Sequence, residues 1–251
     1  EPIKLEVDRI WHLACPASTS EYQKDPIKTS KTNFIGTLNM LQLSKKNNAK
    51  FLLASTSEVY GDPKEHPQKE EYCGYVNSIG IRSCYNEGKR MAESLTYDFS
   101  REYNLDIKIA RIFNTYGPRI RPNDGRVISN FMSQALQNKP FTIYGNGDQS
   151  RSFCFIFDLI DGLIKLMHSN FSGPINIGNP EECKILELAK IINDKVGNKF
   201  SFTNHPLPEN DPIRRKPDIT FAKTNLLWSP KINLSEGLDQ TINYSKNFYP
   251  N

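Results

Sequence analysis

The chain has 251 residues, with 32 Lys and Arg against 28 Asp and Glu, and is 37% hydrophobic and 24% charged. That balance excludes a disordered or membrane-embedded chain and leaves one large domain, or one plus a small lobe, long enough to bury a sizeable core. A net charge of +4, spread along the sequence apart from short runs such as Lys45-Lys46 and Arg214-Arg215-Lys216, speaks against nucleic acid and leaves small anionic ligands open.

In chain order, residues 9–14 (RIWHLA) read as a buried strand ending at Cys15-Pro16-Ala17-Ser18. Residues 31–46 place Phe34, Leu38 and Leu41 at helical spacing and finish in Lys-Lys-Asn-Asn, a helix C-terminus. Residues 50–54 (KFLLA) are a second buried strand with Ser55-Thr56-Ser57-Glu58 at its exit, which completes a βαβ unit. A long amphipathic helix is predicted over 83–103, and a third strand over 107–113. Strands alternating with helices predict a parallel sheet covered on both faces, with ligands beyond the C-terminal strand ends. After Pro118 the pattern loosens: helix 127–137, strand 142–144, strand and helix over 153–167, strand 174–177 and helix 186–196.

Five cysteines (Cys15, Cys73, Cys84, Cys154, Cys183) lie far apart without a Cys-x-x-Cys pair, which supports neither zinc nor a disulfide framework and fits a reducing, cytoplasmic compartment. His12 falls inside a strand, as a core histidine does, and His66, His168 and His205 share no ligand spacing, so no metal is expected. No apolar run approaches a membrane span.

Tyr85 and Lys89 lie four apart, so a helix presents both on one face. An ammonium beside a phenol favours the phenolate, and the spacing predicts a lowered tyrosine pKa and a usable base. Any Tyr and Lys on a helix can meet this spacing; context decides. Here Thr56-Ser57-Glu58-Val59-Tyr60-Gly61 closes one strand, and Ala110 to Pro118 (ARIFNTYGP) follows the next.

With those motifs, and with Asp25-Pro26-Ile27-Lys28-Thr29, Gly36-Thr37-Leu38-Asn39-Met40-Leu41, Asn123-Asp124-Gly125-Arg126-Val127, 144–153 and 211–219, nearly the whole chain resembles the extended short-chain dehydrogenase/reductases that act on nucleotide sugars, most closely the UDP-glucuronate decarboxylases. The resemblance implies an α/β fold: a partial Rossmann-type, doubly wound parallel sheet with a smaller C-terminal substrate lobe. Residues 1–117 would be the C-terminal part of the NAD-binding domain and 118–251 mainly the nucleotide-sugar lobe, with 151–170 returning to the sheet. It also implies a homodimer through the helix carrying Tyr85 and its neighbour.

The activity implied is a redox cycle inside a lyase reaction. Tyr85, assisted by Lys89 and the Thr56 hydroxyl, takes the proton of the sugar 4-hydroxyl while the C4 hydride passes to bound NAD. The 4-ketone lies β to the C5 carboxylate, CO2 leaves, and return of the hydride gives UDP-xylose. By motif match Glu58 and Arg215 join the catalytic set, with Arg215 donating a proton to the enolate. Leu13, Thr32, Ala54, Tyr85, Lys89, Thr115 and Arg126 fall on cofactor-binding positions. Ala17, Tyr22, Ser57, Arg82, Asn114, Tyr144, Arg151 and Arg215 fall on substrate-binding ones. Arginine suits phosphate and carboxylate through its planar fork.

Ser57 stands where related 4,6-dehydratases carry an acidic Asp, and a serine cannot supply that acid at neutral pH. Dehydration is disfavoured; a 4-epimerase, or a non-catalytic UDP-sugar-binding fragment, remains an alternative. Relatives of this kind open with a strand, a Gly-rich turn for the NAD pyrophosphate and an acidic ribose ligand. This sequence contains no such turn and begins Glu1-Pro2-Ile3-Lys4 without Met, so it is expected to be part of a longer protein, whose remainder could carry a Golgi or ER anchor. The strand at Ile10-Trp11-His12-Leu13 would then be an unprotected apolar edge.

Overall fold

The computed structural model describes residues 5–122, 124–207 and 214–249. Asn123 and the Asp211-Pro212 pair of the sequence motifs lie outside the described residues.

The chain starts with β1 (Arg9–His12), α1 (Thr19–Lys24), α2 (Pro26–Lys31), a π-helical turn (Thr32–Gly36) and α3 (Thr37–Asn47). Then come β2 (Lys50–Thr56), a 3-10 turn (Ser57–Tyr60), α4 (Ser83–Tyr103), β3 (Ile107–Ile112) and β4 (Thr115–Tyr116). The second half runs α5 (Val127–Leu136), β5 (Phe141–Tyr144), β6 (Ser150–Ser152), β7 (Cys154–Phe155), α6 (Ile156–His168), β8 (Pro174–Ile177), β9 (Glu182–Lys184), α7 (Ile185–Val196), β10 (Phe202–His205), β11 (Arg214–Arg215), α8 (Thr220–Leu226) and α9 (Leu234–Ser245).

The main sheet is parallel, in the order β1-β2-β3-β8. Its strands are near-continuous apolar runs because both faces are covered. Phe51 and Leu53 of β2, with Ile107 and Ile109 of β3, face Leu41 of α3 and Ala92 of α4. Leu52 and Ala110, one residue out of phase, face Leu159, Leu163 and Leu166 of α6 and Ala222 of α8. The period of two thus assigns each strand residue to one layer or the other. Of residues 151–170, helix α6 lies on the main sheet, while the next strand to join it is β8.

A second core gathers Phe131 and Met132 of α5, Phe141 and Ile143 of β5, Leu188 and Ile192 of α7, and Leu238 of α9. Beside it β6 pairs with β9 and, in parallel, with β11, so that Arg215 lies opposite Arg151. Trp228 joins this half to α6: its indole N–H donates to the Asp158 carbonyl at 3.0 Å, and the Asp158 carboxylate accepts from Ile232 N at 2.9 Å. Among the described residues no helix is long and apolar enough to cross a membrane.

Two expectations need correction. The helical run predicted over 31–46 starts earlier, at Pro26, because Asp25 caps it, its carboxylate accepting from Lys28 N at 2.9 Å, with proline at the first helical position. The strand predicted over 9–14 ends at His12: the apolar run continues, but Leu13 is 56% exposed and the ladder to β2 has stopped. Among the described strands β1 stands at one end of the sheet order, with Trp11 exposed on it.

Gly237 distinguishes packing from propensity. Helix propensity alone favours Ala by about 1 kcal/mol, yet a Cβ there would sit 2.1 Å from the Tyr116 hydroxyl and 2.9 Å from Phe155 Cδ2. Gly237→Ala is expected to destabilise by about 1–3 kcal/mol in urea unfolding; a stabilised variant would show that α9 does not pack this tightly.

Candidate active site

The site lies beyond the C-terminal ends of β1, β2 and β3, against the first turns of α4. Tyr85 and Lys89 are both buried and point from one face of α4 toward the end of β2. The Lys89 ammonium donates to the Ala54 carbonyl at 2.8 Å and lies 6.0 Å from the centre of the Tyr85 ring. The Thr56 side chain lies near enough to the Tyr85 hydroxyl to favour its ionised form. Tyr22, fully buried on α1, stacks on Tyr85 with ring centres 4.9 Å apart and planes 5° from parallel. Thr56 also caps the turn that follows it, accepting from Glu58 N at 3.2 Å.

Glu58, on that turn, is the centre of a cationic cluster. Its Oε1 meets Arg82 Nη2 at 3.0 Å and pairs with Arg215 Nη1. Arg215 is buried, donates its other terminal nitrogen to the Gly61 carbonyl at 2.9 Å, and keeps a buried Nε with no hydrogen-bond partner among the described residues. Arg151, on the neighbouring strand, donates to the Ser150 carbonyl at 2.8 Å and also acts on Glu58 through its charge. Burial alone would raise the Glu58 carboxyl; Arg215, then Arg82 and Arg151, outweigh it and hold the pKa at about 2. The planar guanidinium forks gathered here are of the kind that suits an anion.

The lowered tyrosine pKa expected from Lys89 is not what the structure holds. Burial dominates and raises the Tyr85 phenol; the nearby Cys15 adds to the rise, and the Thr56 hydrogen bond offsets only part of it. Burial also lowers Lys89. It takes His12 down to about 4, with Lys89 contributing, so His12 stays neutral at pH 7, hydrogen-bonded to the Thr37 hydroxyl at 3.0 Å.

Of the other predicted residues, Ser57 is buried beside Thr56, and Asn114 and Thr115 are half-buried at the end of β3. Asn114 there accepts from Cys154 N through its carbonyl at 2.9 Å. Arg126 is exposed, pairs with Asp124 at 3.2 Å and still acts on Tyr85 through its charge. Ala17 and Leu13 are exposed on the loop after β1. Thr32 spends its hydroxyl on the Lys28 carbonyl at 2.8 Å. Tyr144 stands apart on β5, 41% exposed and beside His205. Sequence reasoning missed Glu93, Arg111 and Cys15. Glu93 was detectable as the next step of the Tyr85, Lys89 spacing on α4; Arg111 and Cys15 carry no comparable signal.

The Glu58 cluster sets a pH dependence. A carboxyl held at about 2, against 4.5 in the unfolded chain, adds stability that is fully present above pH 4.5 and is lost as pH falls through about 2. Between pH 5 and pH 2 the wild type should therefore lose about 3 kcal/mol more than Glu58→Gln in urea unfolding. Parallel pH profiles for the two proteins would mean that Glu58 is not ion-paired in solution.

Residues 2–178 match the model of the NAD dependent epimerase/dehydratase family. The chain is 57% identical over 238 residues to UDP-glucuronic acid decarboxylase 2 of Arabidopsis thaliana, covering 95% of this chain and 54% of that protein. It is 54% identical over 244 residues to UDP-glucuronic acid decarboxylase 1 of Xenopus tropicalis, covering 97% and 58%. The chain thus spans little more than half the length of these relatives. Among solved structures it resembles the Thermotoga maritima UDP-glucose 4-epimerase with UDP-glucose, at TM-score 0.90 and 29% identity over 96% of this chain and 78% of that one. It also resembles the Bacillus cereus UDP-glucuronic acid 4-epimerase in complex with UDP-glucuronic acid and NAD, at TM-score 0.88 and 30% identity over 97% and 76%. A parallel α/β sheet with Tyr85, Lys89 and Thr56 at its C-terminal end, matched by this family over most of its length, makes the chain a member of the NAD dependent epimerase/dehydratase family.

Proposed function

We propose that the protein to which this chain belongs is a UDP-glucuronate decarboxylase, a carboxy-lyase that forms UDP-xylose with NAD as a bound, regenerated cofactor. What carries the reading is the contrast in identity: 54–57% to four decarboxylases across at least 95% of this chain, against 29–30% to the two 4-epimerases of similar fold.

The residues present fit the nicotinamide half of the cofactor. The buried Lys89 ammonium uses one of its three N–H donors on Ala54, which leaves two for ribose hydroxyls. Leu13, Thr32, Ala54, Thr115 and Arg126 complete the set we assign to the cofactor. Bound there, NAD supplies a reversible two-electron oxidation at sugar C4, which turns the C5 carboxylate into a leaving group.

Tyr85 and Thr56 hold the sugar 4-hydroxyl, and Tyr85 Oη takes and returns its proton. Burial keeps that phenol protonated in the chain by itself, so its turn as a base depends on positive charge brought close to it. Ser57, Tyr22 and Arg82 receive the sugar carboxylate, and Asn114, Tyr144, Arg151 and Arg215 line the diphosphate and sugar. Arg215 delivers the proton to C5 after CO2 departs, with the ionised Glu58 holding its guanidinium in place.

Exposed Phe34, Ile35 and Met91 on the helices around Tyr85 support a homodimer through that face. Five free cysteines support a reducing compartment, the cytoplasm. We keep the division at residue 118, with α6 counted with the sheet.

The full-length protein supplied with UDP-glucuronate and NAD is expected to release CO2 and UDP-xylose. Tyr85→Phe should abolish turnover while leaving UDP affinity nearly intact. UDP-galacturonate without CO2 would establish 4-epimerisation instead, and UDP binding with no NAD binding in calorimetry would establish a non-catalytic UDP-sugar binder.

A further inference from the structure

At the end of β2 two consecutive residues are each held by a different side chain of α4, and the next lies beside a third. Ala54 offers its carbonyl to Lys89 at 2.8 Å, and the Thr56 side chain lies near the Tyr85 hydroxyl. Between them Ser55 donates its hydroxyl to Glu93 Oε1. Tyr85, Lys89 and Glu93 are spaced four apart, so they form one column along the helix. Glu93 is itself buried, and its carboxylate is shared with β3: Arg111 Nε donates to Oε1 at 3.0 Å and Arg111 Nη2 to Oε2 at 2.7 Å. Ser55 and Arg111 are direct partners in the β2–β3 ladder, so a single carboxylate spans both strands at the level of the site. Arg111 is anchored in turn by the Tyr60 hydroxyl at 3.1 Å and the Glu70 carbonyl at 2.8 Å.

From this geometry we propose that Glu93 is a positioning residue for the Tyr85–Lys89 pair, fixing α4 against the paired ends of β2 and β3 and supplying the buried counter-charge behind Lys89. The inference rests on Tyr85 and Lys89 being the reacting pair. It does not depend on which sugar reaction they serve.

The charges that face Lys89 are few. His12 and Cys15 approach from β1 and the loop after it, and Tyr85 and Glu93 from α4. His12 is neutral near pH 7, and Cys15 lies in surroundings that favour its neutral thiol. Glu93 is therefore the carboxylate among them that offsets the burial of the ammonium. Its bidentate pairing with Arg111 holds the carboxylate in a fixed place, where a lone glutamate would rotate.

The test is a pH titration of Lys89 followed by NMR in protein carrying 13C at lysine Cε, with the resonance assigned by its loss in Lys89→Arg. In Glu93→Gln the Lys89 midpoint is expected to move to lower pH, and in Glu93→Asp to stay close to wild type. In the full-length enzyme Glu93→Gln should lower kcat by about ten- to a hundredfold with KM for UDP-glucuronate little changed. The alkaline limb of its kcat profile should move toward neutrality, because Lys89 loses its proton sooner, and Glu93→Asp should recover part of the rate.

A purely structural glutamate would lower activity without moving either titration, and an unmoved Lys89 midpoint in folded Glu93→Gln would overturn the proposal. Should Glu93→Gln fail to fold, Glu93→Gln/Arg111→Met removes both members of the ion pair. The Lys89 midpoint should still move to lower pH, by less than for the single variant because a positive charge is lost too, and an unmoved midpoint there would equally overturn the proposal. A wild type inactive on UDP-glucuronate would refute the decarboxylase reading alone, since the lysine titration needs no substrate.

Discussion

The docking of α4 onto the end of β2 is the constraint on which the site depends. A parallel strand ends by exposing backbone carbonyls and whatever side chains follow the apolar run, and in this fold those groups face the ligand. Here the first of them, the Ala54 carbonyl, is taken by Lys89. That bond sets how far the helix can slide along the strand, and with it where the Tyr85 ring lies relative to the Thr56 hydroxyl. Tyr22 covers the other side of the same ring in a stacked contact, so Tyr85 is confined by aromatic packing as well as by polar bonds.

Burial of so much polarity is costly unless every charge has a partner. The protein meets that cost twice, in different ways. On the helix side one carboxylate, Glu93, serves a strand hydroxyl, an arginine and a buried lysine. On the opposite side Glu58 is met by Arg82 and Arg215 and feels the charge of Arg151. The first arrangement is nearly self-compensating and suits a fixed scaffold. The second gathers several guanidinium forks at one place, chemistry that suits an anion. The same burial that makes Tyr85 rigid also holds its proton on, so positional accuracy and basicity are opposed in the chain by itself.

Much of this was legible in the sequence, for identifiable reasons. The strands 50–54 and 107–113 announced themselves because a strand covered on both faces is apolar without interruption, and Asn48 and Asn104, in left-handed geometry, end α3 and α4 where polar residues replace the apolar pattern. Tyr85 and Lys89 were found from a spacing that is meaningful only on a helix. The sign of the Tyr85 shift was not legible, because a spacing reports which groups are near and says nothing of how deeply they are buried. The start at Pro26 is signalled by Asp25-Pro26, a capping carboxylate before a proline at the first helical position, a signal that lies ahead of the apolar periodicity of 31–46. A glutamate on a long amphipathic helix ordinarily faces water; the four-residue step from Lys89 puts Glu93 on the inward column, and its pairing with Arg111, the ladder partner of Ser55, is what the spacing alone does not show.

The central claim, that a sugar is oxidised and reduced at C4 by way of Tyr85, is tested most directly by a crystal structure of the full-length protein with UDP-glucuronate and NAD bound. The account predicts the Tyr85 and Thr56 hydroxyls within about 2.6–3.2 Å of the sugar 4-hydroxyl, with the carboxylate turned toward Ser57 and Arg82. A hexuronate seated with its 4-hydroxyl away from Tyr85, or with its carboxylate beyond reach of Arg82 and Ser57, would contradict it.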